Sequence, residues 1–217
     1  MIDHIGQFGA PALSHDHAPR DRSPVPADPD RRQVAVLFAD ICGFTRLVET
    51  VEPEAVYRIV RPLLDELVDC VHRHGGEIQQ VLGDGFMAVF GLRRSRGGSR
   101  LDSLGDETAR ATAAGYEMLR ATRPGSPEVH IGVESGEVLV TSSWDPASFG
   151  VWGRAVNLAQ RMCGVAGPGE LVLGPRAYAI AGHLAAPATE ALVRVRGVAE
   201  AVPAHRITLE PALPMAA

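Results

Sequence analysis

VLFADICGFT, residues 36–45, runs from an apolar stretch into one aspartate and then into a glycine turn. A continuous apolar run of this kind predicts a strand buried on both faces, which we place at residues 33–40. Asp40 ends that strand, and a carboxylate beside a buried strand costs free energy unless a cation meets it. The stretch therefore predicts a cation-binding position at one end of a buried strand.

The elements that follow alternate between helices and strand pairs. Residues 53–74 repeat apolar positions every three or four residues and predict a helix, with Pro62 inside it. Gly83-Asp84-Gly85 separates two short strands, at 77–82 and 86–90, and indicates a tight hairpin. The other predicted elements are a helix at 106–120, a strand pair at 129–133 and 137–141 around Ser135-Gly136, a helix at 153–163, and short strands with one small helix (175–180) over 170–209.

This order predicts an α+β fold: a ferredoxin-like βαββαβ antiparallel sheet with helices on one face and extra C-terminal strands. We expect the folded domain to occupy residues 32–210. Residues 1–31 contain five prolines among polar residues and predict a flexible N-terminal tail, and 211–217 predict a C-terminal tail.

Composition excludes several classes of function. Hydrophobic residues make up 46% of the 217 and charged residues 22%, and no apolar run approaches the roughly 18 residues of a membrane helix. The net charge of −5 gives no basis for general nucleic-acid binding. All 21 basic residues are arginine, which excludes a lysine Schiff base or a lysine phosphate loop. Three scattered cysteines and the lack of a signal pattern predict a cytoplasmic protein with no membrane partner.

The two aspartates predict a metal site. If the first and second strands of the unit lie side by side, Asp40 and Asp84 reach one point, where their charges repel unless a cation bridges them. A small set of oxygen ligands suits Mg²⁺ or Mn²⁺, which keep water and take phosphate oxygens as further ligands. The alternative is that Asp40 caps a helix starting near Phe44 and that Asp84 is an ordinary turn residue.

Asn157 and Arg161 stand four residues apart on a predicted helix and therefore share a face. An amide beside a guanidinium is suited to orienting a sugar and neutralising a phosphoryl group. The alternative is a solvated helix face with no role in binding.

From about residue 33 to 209 the chain resembles the catalytic domain of class III nucleotidyl cyclases. Four segments match in order: VLFADICGFT, GGEIQQVLGDGFMAVFG, IGVESGEV and VWGRAVNLAQRM. The closing VRVRGVAEAVPAHRI resembles the last hairpin of that family. The ordered set of segments carries the resemblance, because each of them alone is common.

The resemblance implies a role for each of the quoted positions. Asp40 and Asp84 would hold two divalent cations, Mg²⁺ or Mn²⁺, with help from the carbonyl of Ile41. Asn157 would orient the ribose, Arg161 would stabilise the transition state, and the turn over Cys42, Gly43, Phe44 and Thr45 would bind the triphosphate through backbone N–H groups. The partner would be a second copy in a homodimer with shared active sites: the aspartates come from one chain and the Asn/Arg pair from the other.

The positions that select the nucleobase depart from the family pattern. Cyclases that make cyclic AMP commonly carry lysine and aspartate where this chain has Gln80 and Gly150, and those that make cyclic GMP tend to have glutamate and a small residue. A basic residue for the terminal phosphates falls on Val198, where Arg196 or Arg194 would substitute. The arginines at 93, 94, 96 and 100 either meet phosphate or form a solvated loop, and a solvated loop is the interpretation we favour.

Three functions follow. The first is a cyclase acting on a nucleoside triphosphate, with ATP favoured, that produces a signalling messenger. The second is a pyrimidine cyclase of bacterial antiphage signalling, which the residues at the two nucleobase positions keep open. The third is a catalytically silent nucleotide-binding or dimerisation module, against which the retention of Asp40, Asp84, Asn157 and Arg161 argues. A faint likeness of residues 82–86 to the diguanylate cyclase loop is not supported elsewhere in the chain.

Overall fold

The computed structural model describes residues 29–92, 100–122, 125–142, 149–184, 188–194 and 200–209, and for 100–103 it describes the backbone only. The strands are β1 (Asp30–Ile41), β2 (Glu77–Leu82), β3 (Gly85–Phe90), β4 (Val129–Ser142), β5 (Phe149–Trp152), β6 (Glu170–Leu173), β7 (Thr189–Val193) and β8 (Val202–Thr208). The helices are α1 (Phe44–Thr50), α2 (Pro53–Arg73), α3 (Arg100–Ala121), α4 (Arg154–Val165) and α5 (Pro175–Ala181). None of the described helices is long and apolar enough to cross a bilayer.

The strands form a single sheet in the order β2-β3-β1-β4-β6-β8-β7, and β5 pairs with the far end of β4. All pairings are antiparallel except that of β4 with β6, which is parallel. This confirms the predicted α+β fold with a mainly antiparallel sheet and extra C-terminal strands. β1 lies in the interior of the sheet, between β3 and β4, because its residues are apolar on both faces and need a covering layer on each side.

Side chains of β1 alternate between two hydrophobic cores. Ala35, Leu37 and Ala39 pack into the larger core, which α2 and α3 cover. Val36 and Phe38 point to the other face of the sheet and pack with residues of α4. This period-two alternation is that of a strand buried on both faces.

The structure corrects the expectation that the helices lie on one face, because α4 packs on the face opposite α2 and α3. Its close approach depends on Gly132 of β4: a Cβ at that position would collide with the backbone of Ala159 and Cys163. Residue 132 is therefore restricted to glycine by the helix that crosses it.

A second correction concerns the predicted strand pair around Ser135-Gly136, which is one continuous strand, β4. Ser135 shares a hydrogen bond of 2.8 Å with Thr108 of α3, while a Cβ at Gly136 would lie 3.1 Å from the Cβ of Ala155 on α4. These two small residues let helices pack closely on opposite faces of the strand. Their role is packing and not a turn.

Candidate active site

Asp40 lies near the end of β1, opposite Gly85 of β3 on one side and His130 of β4 on the other. The strand beside β1 is thus β3 and not the first strand of the hairpin, β2, as the sequence suggested. A Cβ on Gly85 would lie 2.5 Å from the carbonyl oxygen of Ala39 and 2.6 Å from Oδ1 of Asp40. Glycine is needed there because any larger residue would displace the Asp40 carboxylate.

Asp84 immediately precedes Gly85 at the hairpin tip, so the register of β1 and β3 brings the two aspartates together. Partial burial raises the pKa of Asp84, and the neighbouring carboxylate of Asp40 raises this pKa further. Two carboxylates this close repel each other, and a bound cation would relieve both the repulsion and the burial. The capping alternative for Asp40 fails, because Gly43 is the N-cap of α1 and no side chain caps it.

His130 is the residue at this site that the sequence analysis missed. Its Nε2 lies 3.2 Å from Oδ2 of Asp40, and its Nδ1 lies 3.4 Å from the carbonyl oxygen of Ala166. Both partners are acceptors, so both ring nitrogens donate when the imidazole is protonated. The hydrogen bond that the protonated imidazole donates to Asp40 raises the pKa of His130 accordingly. Only the pairing of β1 with β4 brings His130 next to Asp40, and no local sequence pattern specifies that pairing.

The donor set at this end of β1 fits a hard divalent cation. Two carboxylates and the backbone carbonyl of Ile41 are oxygen ligands, which Mg²⁺ and Mn²⁺ prefer. Among the described residues, no group of three or more His, Cys, Asp or Glu side chains is arranged to hold a metal. A cation here would therefore keep positions for water and for substrate phosphate oxygens, as Mg²⁺ commonly does.

The turn that follows β1, directly after Asp40 and Ile41 in the chain, offers backbone N–H groups. The N–H of Cys42 is already used, because it donates to the carbonyl of Glu128 at 2.9 Å. Gly43, with φ of 72°, begins α1, and the N–H groups of Phe44 and Thr45 in its first turn have no acceptor within the helix. Burial raises the pKa of the Cys42 thiol to about 11, so this side chain stays uncharged at neutral pH.

Asn157 and Arg161 lie on α4, on the other face of the sheet. Asn157 is exposed, whereas the Nη1 atom of Arg161 is buried and has no hydrogen-bond partner among the described residues. Within this part of the chain, neither side chain forms a hydrogen bond or an ion pair with Asp40 or Asp84. The described part of the chain therefore presents two separate groups of residues, one with two carboxylates and one with an amide and a guanidinium whose Nη1 has no partner there.

The two segments implied in nucleobase selection lie close together. Gln80 is exposed on β2, and Gly150 lies on β5. The neighbouring Gln79 donates from Nε2 to the carbonyl oxygen of Phe149 at 2.8 Å, which links β2 to β5.

The basic residues considered for phosphate binding are mostly outside the described part of the chain. Arg196 and Val198 lie outside the described residues, as do Arg93, Arg94, Arg96 and the side chain of Arg100. Arg194 is described and is exposed just after β7.

The fold and these residues match one family. The model of the adenylate and guanylate cyclase catalytic domain matches residues 27–201, which is most of the chain. The chain therefore belongs to the adenylate and guanylate cyclase catalytic-domain family.

Relatives and solved structures agree with this family. A protein of Mycobacterium tuberculosis named adenylate cyclase is 30% identical over 147 residues, covering 67% of this chain and 33% of the relative. An uncharacterised protein of the same organism is 31% identical over 178 residues, covering 80% of this chain and 30% of that protein. The chain thus spans about a third of the length of these relatives.

Two cyclase structures superpose on most of this chain. The guanylyl cyclase Cya2 superposes with a TM-score of 0.73 at 28% identity, covering 84% of this chain and 96% of that one. The adenylyl cyclase CyaB from P. aeruginosa has the same fold, with a TM-score of 0.73 at 23% identity, covering 85% and 98%.

Proposed function

We propose that residues 32–210 are a nucleotidyl cyclase domain that converts a nucleoside triphosphate, ATP in the first instance, into its 3′,5′-cyclic nucleotide and pyrophosphate. The observation that carries this proposal is the meeting of Asp40 and Asp84 across β1 and β3. Positive charge nearby would stabilise the ionised pair at neutral pH, and the divalent cations that accompany a triphosphate would supply it. Membership of the cyclase family supports the same chemistry.

The reaction is an in-line displacement within one substrate molecule. The ribose 3′-oxygen forms a bond to the α-phosphorus, the bond from that phosphorus to the β-phosphate oxygen breaks, and pyrophosphate leaves. The proton of the 3′-hydroxyl passes to solvent. Divalent cations, when bound, neutralise the phosphate charge and acidify the hydroxyl.

The residues of the chain position the groups that react. Asp40 and Asp84, with the carbonyl of Ile41, hold the cations, while the free N–H groups of the turn at Phe44 and Thr45 donate to phosphate oxygens. Arg161 donates to the charge that develops on the phosphoryl group, and Asn157 fixes the ribose.

We further propose that each active site is completed by a second copy of the chain. Among the described residues, no hydrogen bond or ion pair joins the acidic pair to Asn157 or Arg161, and Nη1 of Arg161 is buried without a partner there. A guanidinium left unpartnered in this way is suited to an anion that arrives with the other subunit. One chain alone would then be nearly inactive.

More than one nucleobase is a candidate for the substrate. One relative is named adenylate cyclase and one structural neighbour is a guanylyl cyclase, so both purines are candidates. The lack of a side chain at Gly150 keeps a pyrimidine cyclase as the second candidate. Purified protein with Mn²⁺ and each of the four nucleoside triphosphates, followed by identification of any cyclic product, separates these candidates. No product from any of them would support a silent binding module.

The shared site is tested by mixing inactive variants. We expect Asp40→Ala and Arg161→Ala each to be inactive alone, and a mixture to recover about a quarter of the wild-type rate. Half of the randomly mixed dimers are mixed, and each of those has one intact site of two. The matched control is Asp40→Ala mixed with Asp84→Ala: both changes fall in the acidic half, so no dimer has an intact site. Failure of the first mixture, with chain exchange demonstrated, would contradict the shared site.

A further inference from the structure

Three neighbouring strands place Gly85, Asp40 and His130 in one row across the sheet. Asp40 of β1 pairs with Gly85 of β3 on one side and with His130 of β4 on the other. Residues paired across strands project on the same side of a sheet, so the imidazole of His130 stands beside the Asp40 carboxylate. Gly85 has no side chain, and within this row the carboxylate is therefore flanked by a side chain on the β4 side alone.

The two oxygens of the Asp40 carboxylate have different neighbours. Oδ1 faces β3, because a Cβ on Gly85 would lie 2.6 Å from it. Oδ2 faces β4 and lies 3.2 Å from Nε2 of His130. Donation from Nε2 needs a proton on that nitrogen, which the imidazolium and one of the two neutral tautomers both carry. One oxygen is thus engaged within the chain, and the other is directed at the start of β3, which directly follows Asp84.

The imidazole of His130 is also fixed on its other side. Its Nδ1 lies 3.4 Å from the carbonyl oxygen of Ala166, the C-cap of α4. The preceding carbonyl, that of Val165, accepts from Nη2 of Arg206 at 2.8 Å, and Arg206 forms an ion pair with Glu170. These contacts join the end of α4 to β6 and β8. The carbonyl that the ring contacts therefore belongs to a segment that is itself held in place.

We propose that His130 is a positioning residue for the cation site: by holding Oδ2 of Asp40, it keeps Oδ1 directed at the place where Asp84 meets it. A carboxylate that is already oriented loses less conformational freedom when a cation binds. Removal of a hydrogen-bond donor behind a liganding carboxylate commonly weakens metal binding by about ten- to a hundredfold. This inference rests on the proposed cyclase function, because it concerns the cations of that reaction. His130 acts through Asp40 and not on the nucleotide.

The first test measures Mn²⁺ binding to the whole chain without nucleotide, from the electron paramagnetic resonance signal of free Mn²⁺. His130→Met fills the space of the ring without an N–H, and we expect the Mn²⁺ Kd to rise by about tenfold. His130→Gln has nearly the same shape and keeps an N–H donor, so its Kd should stay within about threefold of the wild type. The matched control is His74→Met, because Nε2 of His74 forms a similar contact of 2.7 Å with Glu117 between α2 and α3. It should leave the Kd unchanged.

The second test uses cyclase kinetics, which distinguish a positioning role from a merely structural one. In His130→Met, the Mn²⁺ concentration that gives half of the maximal rate should rise by about tenfold. At saturating Mn²⁺, kcat should return to within about threefold of the wild type and KM for the nucleoside triphosphate should be unchanged, because the ring does not contact the substrate. A folding defect would lower the rate at every Mn²⁺ concentration.

The outcomes separate this inference from the function on which it rests. Equal Mn²⁺ Kd values for the Met and Gln variants at residue 130 would overturn the inference while leaving a cyclase. So would tighter Mn²⁺ binding by His130→Met, which would mean that the ring competes with the cation. A raised KM at unchanged Mn²⁺ affinity would also overturn it, because the ring would then contact the substrate. Mn²⁺ binding that depends on His130, without cyclic product from any of the four nucleoside triphosphates, would support the inference and overturn the proposed reaction.

Discussion

The acidic end of β1 and the exposed face of α4 are built in opposite ways. Asp40 lies close enough to Asp84 to raise the pKa of Asp84, and His130 donates to Asp40 at 3.2 Å. By contrast, Asn157 is exposed and Nη1 of Arg161 has no partner in the described part of the chain. Strand register creates the first group during folding. The second group needs only a helix that packs on the sheet, and we propose that its partners come from a second copy of the chain.

The acidic half of the site (Asp40 and Asp84) and the α4 half (Asn157 and Arg161) should therefore differ in how strongly they affect the stability of the chain. Clustering two carboxylates costs stability before a cation binds, and one histidine offsets only part of that cost. Arg161, by contrast, makes no hydrogen bond within the described part of the chain, so removal of its side chain breaks none. Substitutions in the acidic half should therefore change both stability and activity, and those on α4 should change activity alone.

The largest expected effect is that of Asp84→Asn. The raised pKa of Asp84 means that its charged form is disfavoured in the folded chain, so the neutral amide should raise the melting temperature in metal-free buffer at pH 7. Cyclase activity should fall by about 10³-fold, because a cation ligand is lost. Added Mn²⁺ should raise the melting temperature of the wild type and not that of the variant. A variant that Mn²⁺ stabilises as strongly as the wild type would contradict the assignment of Asp84.

Arg161→Ala should affect activity alone. We expect kcat to fall by roughly 10²- to 10³-fold, the usual effect of removing one donor to a developing charge. The melting temperature and its increase with Mn²⁺ should match the wild type, since no described hydrogen bond is lost. The matched control is Arg154→Ala, an exposed arginine at the start of the same helix, which should retain activity. Loss of the Mn²⁺ effect in Arg161→Ala would show that the two halves are not independent.

Much of the acidic half was predictable from the sequence, because its signals are local. An apolar run ending in Asp40 and a hairpin with Asp84 at its tip are read from consecutive residues, and the structure has β1 and the hairpin at those places. His130 was missed because it meets Asp40 only through the pairing of β1 with β4. Pairing between distant strands leaves no local signal.

The position of α4 was not predictable for a related reason. Its apolar spacing predicts a buried face, but the same spacing fits either side of a sheet. The choice depends on Gly132, which lets the helix backbone approach β4, and a lone glycine in a strand also indicates a bulge or a turn. Likewise Ser135-Gly136 suggested a turn because both residues are frequent in turns, although here they make room for α3 and α4.

The smallest expected effect concerns Glu134, a second carboxylate whose pKa burial raises. It is 2% exposed on β4, and Oε1 accepts from the backbone N–H groups of Ser135 at 2.7 Å and Ala177 at 2.8 Å. Unlike the acidic pair, it has its partners within the chain, on β4 and at the start of α5. Glu134 therefore shows that burial inside this fold can raise the pKa of a carboxyl group without a binding site.

Glu134→Gln tests that distinction through pH. Because the folded pKa lies above the ordinary value of 4.5, the folded chain holds this proton more tightly, and wild-type stability falls as pH rises above about 4.5. Glutamine keeps an acceptor oxygen but does not titrate, so the melting temperature of the variant minus that of the wild type should increase between pH 4 and pH 7, by roughly 2 °C or more. Glu137→Gln is the comparison at an exposed position of the same strand, where the carboxylate forms an ion pair with Arg31. Activity with Mn²⁺ should survive Glu134→Gln, and a loss as large as that of Asp84→Asn would mean that Glu134 belongs to the active site after all.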